Sequence, residues 1–167
     1  MTEDRALADA IAVRASSEAD DAWLERLLDE HWGGAFQVAN GERYRPADLP
    51  GFVAELAGSR VGYAAIRVVD GVAWIGLIHS LREGIGVGSA LVEVLVAAAR
   101  GDGCSALRAI TTNDNVRAKG FYARLGFRLR EVRPGEVTRS RIMKPSIPLT
   151  SEDAVAITDE LEYELDI

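Results

Sequence analysis

Leu81-Arg82-Glu83-Gly84-Ile85-Gly86-Val87-Gly88-Ser89-Ala90-Leu91 sets three glycines at alternate positions directly ahead of an uninterrupted helix-forming run. The segment before it, Val72 to His79, reads as a β-strand. A strand, a glycine-rich turn and a helix start gather unpaired backbone N–H groups around one point, and the helix dipole adds positive potential there. Such a turn receives an anion, usually a phosphate. The helix predicted from about Gly86 to Arg100 puts Val87, Leu91, Val94, Leu95 and Ala98 on one face. Its other faces are mostly Val and Ala, so it packs on a sheet with little exposure. Gly101 and Gly103 stop it.

Upstream, Ile11–Arg14 is a short strand candidate, and Ser16 or Ser17 caps a helix with Glu18, Asp20 and Asp21 in its first turn. Trp23, Leu24, Leu27 and Leu28 form its apolar stripe, and Gly33-Gly34 ends it. Residues 35–50 have no clean period and contain Pro46 and Pro50, which predicts a loop or a short second helix. Phe52–Leu56 and Val61–Val69 are strands joined at Gly58-Ser59. Asp70-Gly71 is a hairpin signal that pairs Val69 with Val72, Arg67 with Trp74 and Ala65 with Gly76. Gly76 in mid-strand marks a bulge or a close backbone approach.

Downstream, Ala106–Thr111 is a strand, parallel to the one before the glycine turn because a crossover helix joins them. Thr112, Asn113 or Asp114 caps the next helix, which runs to about Leu125 and closes at Gly126. Phe127–Val132 is a strand. The stretch 133–158 is an irregular connection, with a short helix possible before Pro145, and it holds Arg139, Arg141 and Lys144, a basic group expected as a solvated face or as a partner or substrate rim. Residues 159–167 alternate, with Leu161, Tyr163, Leu165 and Ile167 on one side and Glu160, Glu162, Glu164 and Asp166 on the other. That is a half-buried strand, whose pairing with 127–132 would set acids against Arg128 and Arg130.

A chain of 167 residues, 48% of them hydrophobic, suffices for one domain over 1–167, with 1–10 as a flexible lead. No apolar run is long enough to span a membrane, and the first ten residues lack a signal peptide's basic start, so a cytoplasmic protein is expected. One cysteine, Cys104, excludes an internal disulfide, and with only His31 and His79 beside it no metal centre is expected. The net charge of −7 resides in 151–167; the rest of the chain has as many acids as its 19 bases, and no basic patch marks a nucleic-acid binder.

The second informative stretch is Asn113-Asp114-Asn115-Val116-Arg117-Ala118-Lys119-Gly120-Phe121-Tyr122-Ala123-Arg124-Leu125-Gly126-Phe127. Together with 78–91 it resembles the GCN5-related N-acetyltransferase superfamily, which moves an acetyl group from acetyl-CoA to an amine. The family's V-x-P-x-x-R-G-x-G-[IV]-G-x-x-L falls without a gap on Ile78 to Leu91, with Glu83 where Arg or Gln is usual and Arg82 beside it. Its N-x-x-A-x-x-F-Y-x-x-x-G-F falls on Asn115, Ala118, Phe121, Tyr122, Gly126 and Phe127. The resemblance implies an α/β GNAT-like acyltransferase fold: a mixed, mostly antiparallel sheet with a central β-α-β parallel splay and helices on both faces.

By the same resemblance, Ile78, His79, Ser80, Gly84, Gly86, Val87, Gly88, Ser89, Asn115 and Tyr122 bind acetyl-CoA. A backbone N–H near Ile78 or His79 polarises the thioester carbonyl and stabilises the oxyanion. Tyr122 donates a proton to the departing thiolate, and Asn115 orients the cofactor arm or the tyrosine. A thiol pKa near ~8.5 against a phenol near ~10 makes full transfer modest in driving force, yet the hydrogen bond lowers the barrier. An alkylamine near ~10.4 is mostly protonated at neutral pH, so a base or water chain is required, with His79, Glu55 and Glu83 as candidates. The acceptor is a small-molecule or protein amine, and the C-terminal strand offers an edge for a homodimer. The alternative function is a non-catalytic acyl-CoA-binding or regulatory domain of the same fold. A dinucleotide fold opens with its glycine turn, whereas several antiparallel strands come first here.

Overall fold

The computed structural model describes Thr2–Ile167. In chain order the elements are α1 (Thr2–Asp9), β1 (Ala12–Ala15), α2 (Asp21–His31), β2 (Gln37–Ala39), β3 (Glu42–Tyr44), β4 (Gly51–Leu56), β5 (Ser59–Val69) and β6 (Val72–Ser80). They continue as α3 (Val87–Gly101), β7 (Ala106–Thr112), α4 (Val116–Arg124), β8 (Arg128–Arg133), α5 (Glu136–Met143) and β9 (Glu160–Asp166). Residues expected to form one domain group into two compact units. The first holds the chain up to Leu24, Pro46–Leu107 and Ile167; the second holds Glu25–Arg45 and Arg108–Asp166. Helix α1 occupies the stretch expected as a flexible lead.

In the first unit the strands β1, β4, β5 and β6 lie side by side in that order, each antiparallel to the next. The turn between β4 and β5 sits on Ala57 and Gly58, both at positive φ, one residue earlier than expected. The Asp70-Gly71 hairpin closes as predicted, with Val69 opposite Val72 and Arg67 opposite Trp74. Ala65, however, faces Leu77 and not Gly76, because the register shifts there. The residue left over is Gly76, the extra residue of a bulge, and an added Cβ there would stand 2.6 Å from Leu49 Cδ1, so the position takes no side chain.

Helix α3 lies on this sheet at unusually short range. A Cβ at Gly62 of β5 would stand 2.6 Å from Val87 Cγ1 and 3.1 Å from Leu91 Cδ1. Val53, Ala64, Ala65, Leu91 and Leu95 are fully buried in this unit. At its edge, buried Asp20 accepts hydrogen bonds from both Nη atoms of Arg14, from Arg60 Nε and from the Ser17 amide, each at 2.8 Å. The chain between Ser17 and α2 makes one 3-10 turn, Glu18–Asp20, before the helix proper.

In the second unit, residues 37–44 form an antiparallel hairpin, β2 with β3, in place of the loop or short helix expected. Its turn is Asn40-Gly41, both at positive φ. This dipeptide is itself a strong hairpin signal, obscured by Pro46 and Pro50 downstream of it. Strands β7, β9 and β8 are neighbours in that order, so the C-terminal strand is paired on both sides and is not the edge expected for a homodimer. As expected, β9 pairs antiparallel with β8, Leu129 opposite Tyr163 and Val132 opposite Leu161. Arg128 reaches Asp166 and Arg130 reaches Glu162, each at 2.9 Å.

The acidic side of β9 is not the open surface its charge suggests. Glu160 and Glu162 are buried, covered by Arg133 and Arg130. The two oxygens of Glu160 also accept from the Asn40 amide at 3.0 and 3.1 Å, which ties the hairpin tip down. Burial nonetheless raises the Glu160 pKa, outweighing Asn40 and Arg133. The expected solvated basic face holds for Arg139, which is exposed beside Glu136, and is corrected for Arg141 and Lys144. Lys144 is buried, its Nζ donating to Trp32 O, Phe36 O and Gln37 Oε1 at 2.7, 2.9 and 2.9 Å. Arg141 donates to the carbonyls of Ile147, Pro148 and Ile157. These cations collect backbone carbonyls that lack a ladder partner, a need that residue type alone does not reveal.

Candidate active site

In the first unit, Ile78, His79 and Ser80 end β6 opposite Ala64, Tyr63 and Gly62. The Leu81 amide makes the last bond to the sheet, to Val61 O at 2.8 Å, and Ser80 Oγ donates to Arg82 O at 2.8 Å. The chain then turns through Gly84 at φ 77° and Gly86 at φ 96°, a conformation that L side chains avoid. Gly86 is the N-cap of α3, without a side-chain cap, and no acid occupies the first turn. The first helical bond is Ala90 N to Gly86 O at 3.0 Å. The amides of Val87, Gly88 and Ser89 therefore precede the ladder and have no acceptor within it. A Cβ at Gly84 would meet nothing within 4 Å, so the turn opens on free space. Uncapped amides, a helix dipole, two positive-φ glycines and no acid in the helix's first turn fit a diphosphate, from which the exposed Glu83 carboxylate must be directed away.

Of the candidate bases, Glu55 is taken up elsewhere in this unit. Its Oε1 accepts from Arg14 Nε at 3.1 Å and Nη2 at 3.0 Å. His79 is half-buried in β6 and Glu83 is exposed in the turn.

In the second unit, α4 is capped by Asn115, whose Oδ1 accepts from the Ala118 amide at 3.0 Å. The cap expected at Thr112, Asn113 or Asp114 thus falls one residue later. Thr112 Oγ1 is spent on Asp114 Oδ1, and the Asn113 side chain is committed to residues 156–159. Tyr122, 4% exposed, stacks against Phe121, Phe127 and Tyr163 with ring centroids 5.3, 5.1 and 5.7 Å away. Burial pushes its phenol well above the ordinary value and the nearby Tyr44 adds to the shift, so the hydroxyl keeps its proton at neutral pH. Tyr163, Tyr44 and Asn113 surround this tyrosine or its helix without belonging to the motif; only the alternation of 159–167 pointed to Tyr163, by placing it on the apolar side.

The two motifs are thus each assembled within one unit: Ile78 to Ser89 in the first, Asn115 and Tyr122 in the second. Among the described residues no helix is long and apolar enough to cross a membrane.

The family model described as "Acetyltransferase (GNAT) family" matches residues 12–127. "Uncharacterized protein YdhI" of Bacillus subtilis (strain 168) is 32% identical over 141 residues, covering 84% of this chain and 88% of its own. Among solved structures, the fold is similar to "IAA acetyltransferase from Bacillus cereus ATCC 14579", with TM-score 0.72, 21% identity, and 94% and 99% of the two chains covered. It is also similar to a GNAT family acetyltransferase from Elizabethkingia anophelis with acetyl-CoA bound, at TM-score 0.67 and 16% identity, covering 95% of this chain and 99% of that one.

Proposed function

The chain belongs to the acetyltransferase (GNAT) family, whose acetyl donor is acetyl-CoA, and on that premise we propose an N-acetyltransferase that acts in the cytoplasm by direct transfer to a primary amine. Acetyl-CoA supplies the acetyl group as an activated thioester. The amides of Val87, Gly88 and Ser89 hold its diphosphate, and Gly84 and Gly86 permit close backbone approach. A backbone N–H at Ile78 or His79 polarises the acetyl carbonyl. Tyr122 donates its hydroxyl proton as negative charge develops on sulfur. A phenol far above a thiol in pKa does not release the proton early, so the donation is strongest late in bond breaking. Asn115 keeps its amide nitrogen available to orient the donor, since Ala118 engages only its oxygen. His79, at the end of β6, is the candidate that relieves the amine of its proton. The acceptor is the amine of a small molecule or of a protein.

The observation that carries this reading is the start of α3: three amides outside the helical ladder, with no capping side chain and no acid in the first turn. Two measurements test it. Calorimetry should give one acetyl-CoA site per chain. Thiol release with an amine panel should show turnover, reduced by about 100-fold in Tyr122→Phe with donor affinity retained, the usual scale for a lost general acid. Unchanged turnover in that variant would refute the role of Tyr122. Donor binding without turnover on any amine would favour an acyl-CoA-binding regulatory domain.

A further inference from the structure

Asn113 stands where β7 ends, two residues before the cap of α4, yet its side chain serves neither element. Its Oδ1 accepts from the amides of Thr158 and Asp159 at 2.9 and 3.0 Å, and its Nδ2 donates to Ala156 O at 2.8 Å. Its own amide donates to Asp159 O at 3.1 Å. Lys119, one turn into α4, returns to Asn113 O through its Nζ. One residue therefore joins the start of α4 to the stretch that feeds β9.

Both of those elements reach Tyr122. Helix α4 carries it, and β9 carries Tyr163, whose ring lies 5.7 Å from it. A shift of 156–159 relative to residue 113 would slide one ring against the other. The feeding stretch is also held from its far side: Val137 N donates to Thr158 O at 3.0 Å, Gly135 N to Asp159 Oδ1 at 2.9 Å, and Ile157 N to Leu149 O at 2.9 Å. Removing the Asn113 side chain thus leaves 156–159 attached to α5 and loosens only its registration against α4.

We propose that Asn113 is a positioning residue for the acetyl transfer: by locking residues 156–159 to the start of α4, it fixes the seat of Tyr122 between α4 and β9. The proposal rests on Tyr122 as the acid. An amide side chain suits the task because it accepts twice and donates once. An aspartate keeps the two accepted bonds but sets an oxygen against Ala156 O, and an alanine keeps only the backbone bond to Asp159 O.

The test is a kinetic cycle with a spectroscopic arm. Asn113→Ala should lower kcat about 10-fold with the acetyl-CoA KM within about twofold, the signature of misplacement and not of lost binding. Asn113→Asp should recover part of that loss, since it keeps the two accepted bonds and forfeits the donated one. In a Tyr122→Phe background, Asn113→Ala should have no further effect, since a residue acting through another is non-additive with it. An equal 10-fold loss in both backgrounds, or a lower urea midpoint with kcat unchanged, would overturn the proposal. Unchanged turnover in Tyr122→Phe alone would instead defeat the reading of the acid. For the second arm, the protein is labelled with 13Cζ-tyrosine. Asn113→Ala should move the Tyr122 titration towards an ordinary phenol as packing loosens; an unmoved Tyr122 resonance refutes the positioning role, whether or not an acceptor is in hand.

Discussion

Gly62 makes the case at the scale of one residue. Nothing in Arg60-Val61-Gly62-Tyr63 marks this glycine as special, and its backbone needs no positive φ. What it supplies is space: Val87 and Leu91 occupy the volume a methyl group would take. Gly62→Ala should therefore push the first turn of α3 off β5, at roughly 1–3 kcal/mol of stability, the ordinary cost of overpacking. Because that turn presents the amides of Val87, Gly88 and Ser89, acetyl-CoA affinity should weaken as well. Urea unfolding and calorimetry on the same preparation read both effects, and a variant unchanged in both would contradict the tight docking of α3. Tyr122 shows the opposite balance. Its place, with Phe121 and Phe127 beside it, was legible in the motif; Tyr163, the partner from a distant strand, was only partly so.

Among the elements, the hairpin β2–β3 depends most on distant residues. Its Asn40 amide is held by Glu160, and the chain leading into it is held by Lys144. Lys144→Met keeps the aliphatic bulk but leaves Phe36 O and Gln37 Oε1 without their donor and Trp32 O with only Gln37 Nε2. The expected cost is about 2 kcal/mol, given the penalty for stranding buried acceptors. Hydrogen exchange should quicken at residues 37–44 before the sheet of the first unit responds; uniform exchange would show that the lysine does not anchor the hairpin. In sequence, Arg139, Arg141 and Lys144 look like any solvated cationic run. The burial of Lys144 depends on a segment about a hundred residues away, whereas the Asp70-Gly71 turn and the alternation of β9 depend on immediate neighbours and were readable.

Across the whole molecule the charges are organised around a few buried acids. Arg14 above all, with the Ser17 amide and Arg60, holds the Asp20 carboxyl well below the usual carboxylate range, against the opposing effect of burial. A depressed folded pKa means stabilisation that is complete above the unfolded value, near 3.8, and is lost as pH falls through the folded one. Glu160, shifted upward, contributes with the opposite sign: its stabilisation is present below the unfolded value and is lost as pH rises through the folded one. Unfolding free energy should therefore fall on acidification below about pH 4, and Asp20→Asn should flatten that limb while costing about 2 kcal/mol at pH 7. Urea titrations at several pH values decide this, and an acid limb of equal slope in the variant would remove Asp20 from the account. The sequence by itself determined the glycine turn, the helix start behind it, the strand order up to it and the two motifs across 78–127. Each of these is written in φ preferences and periodicities that span a few residues. Only the tertiary structure decided that Asp20, Glu162 and Lys144 are buried, that Gly62 must be bare and that Asn113 fastens residues 156–159. Burial and hydrogen-bond partnership arise between residues far apart in the chain, and their free energy depends on the exclusion of water, which no local pattern encodes.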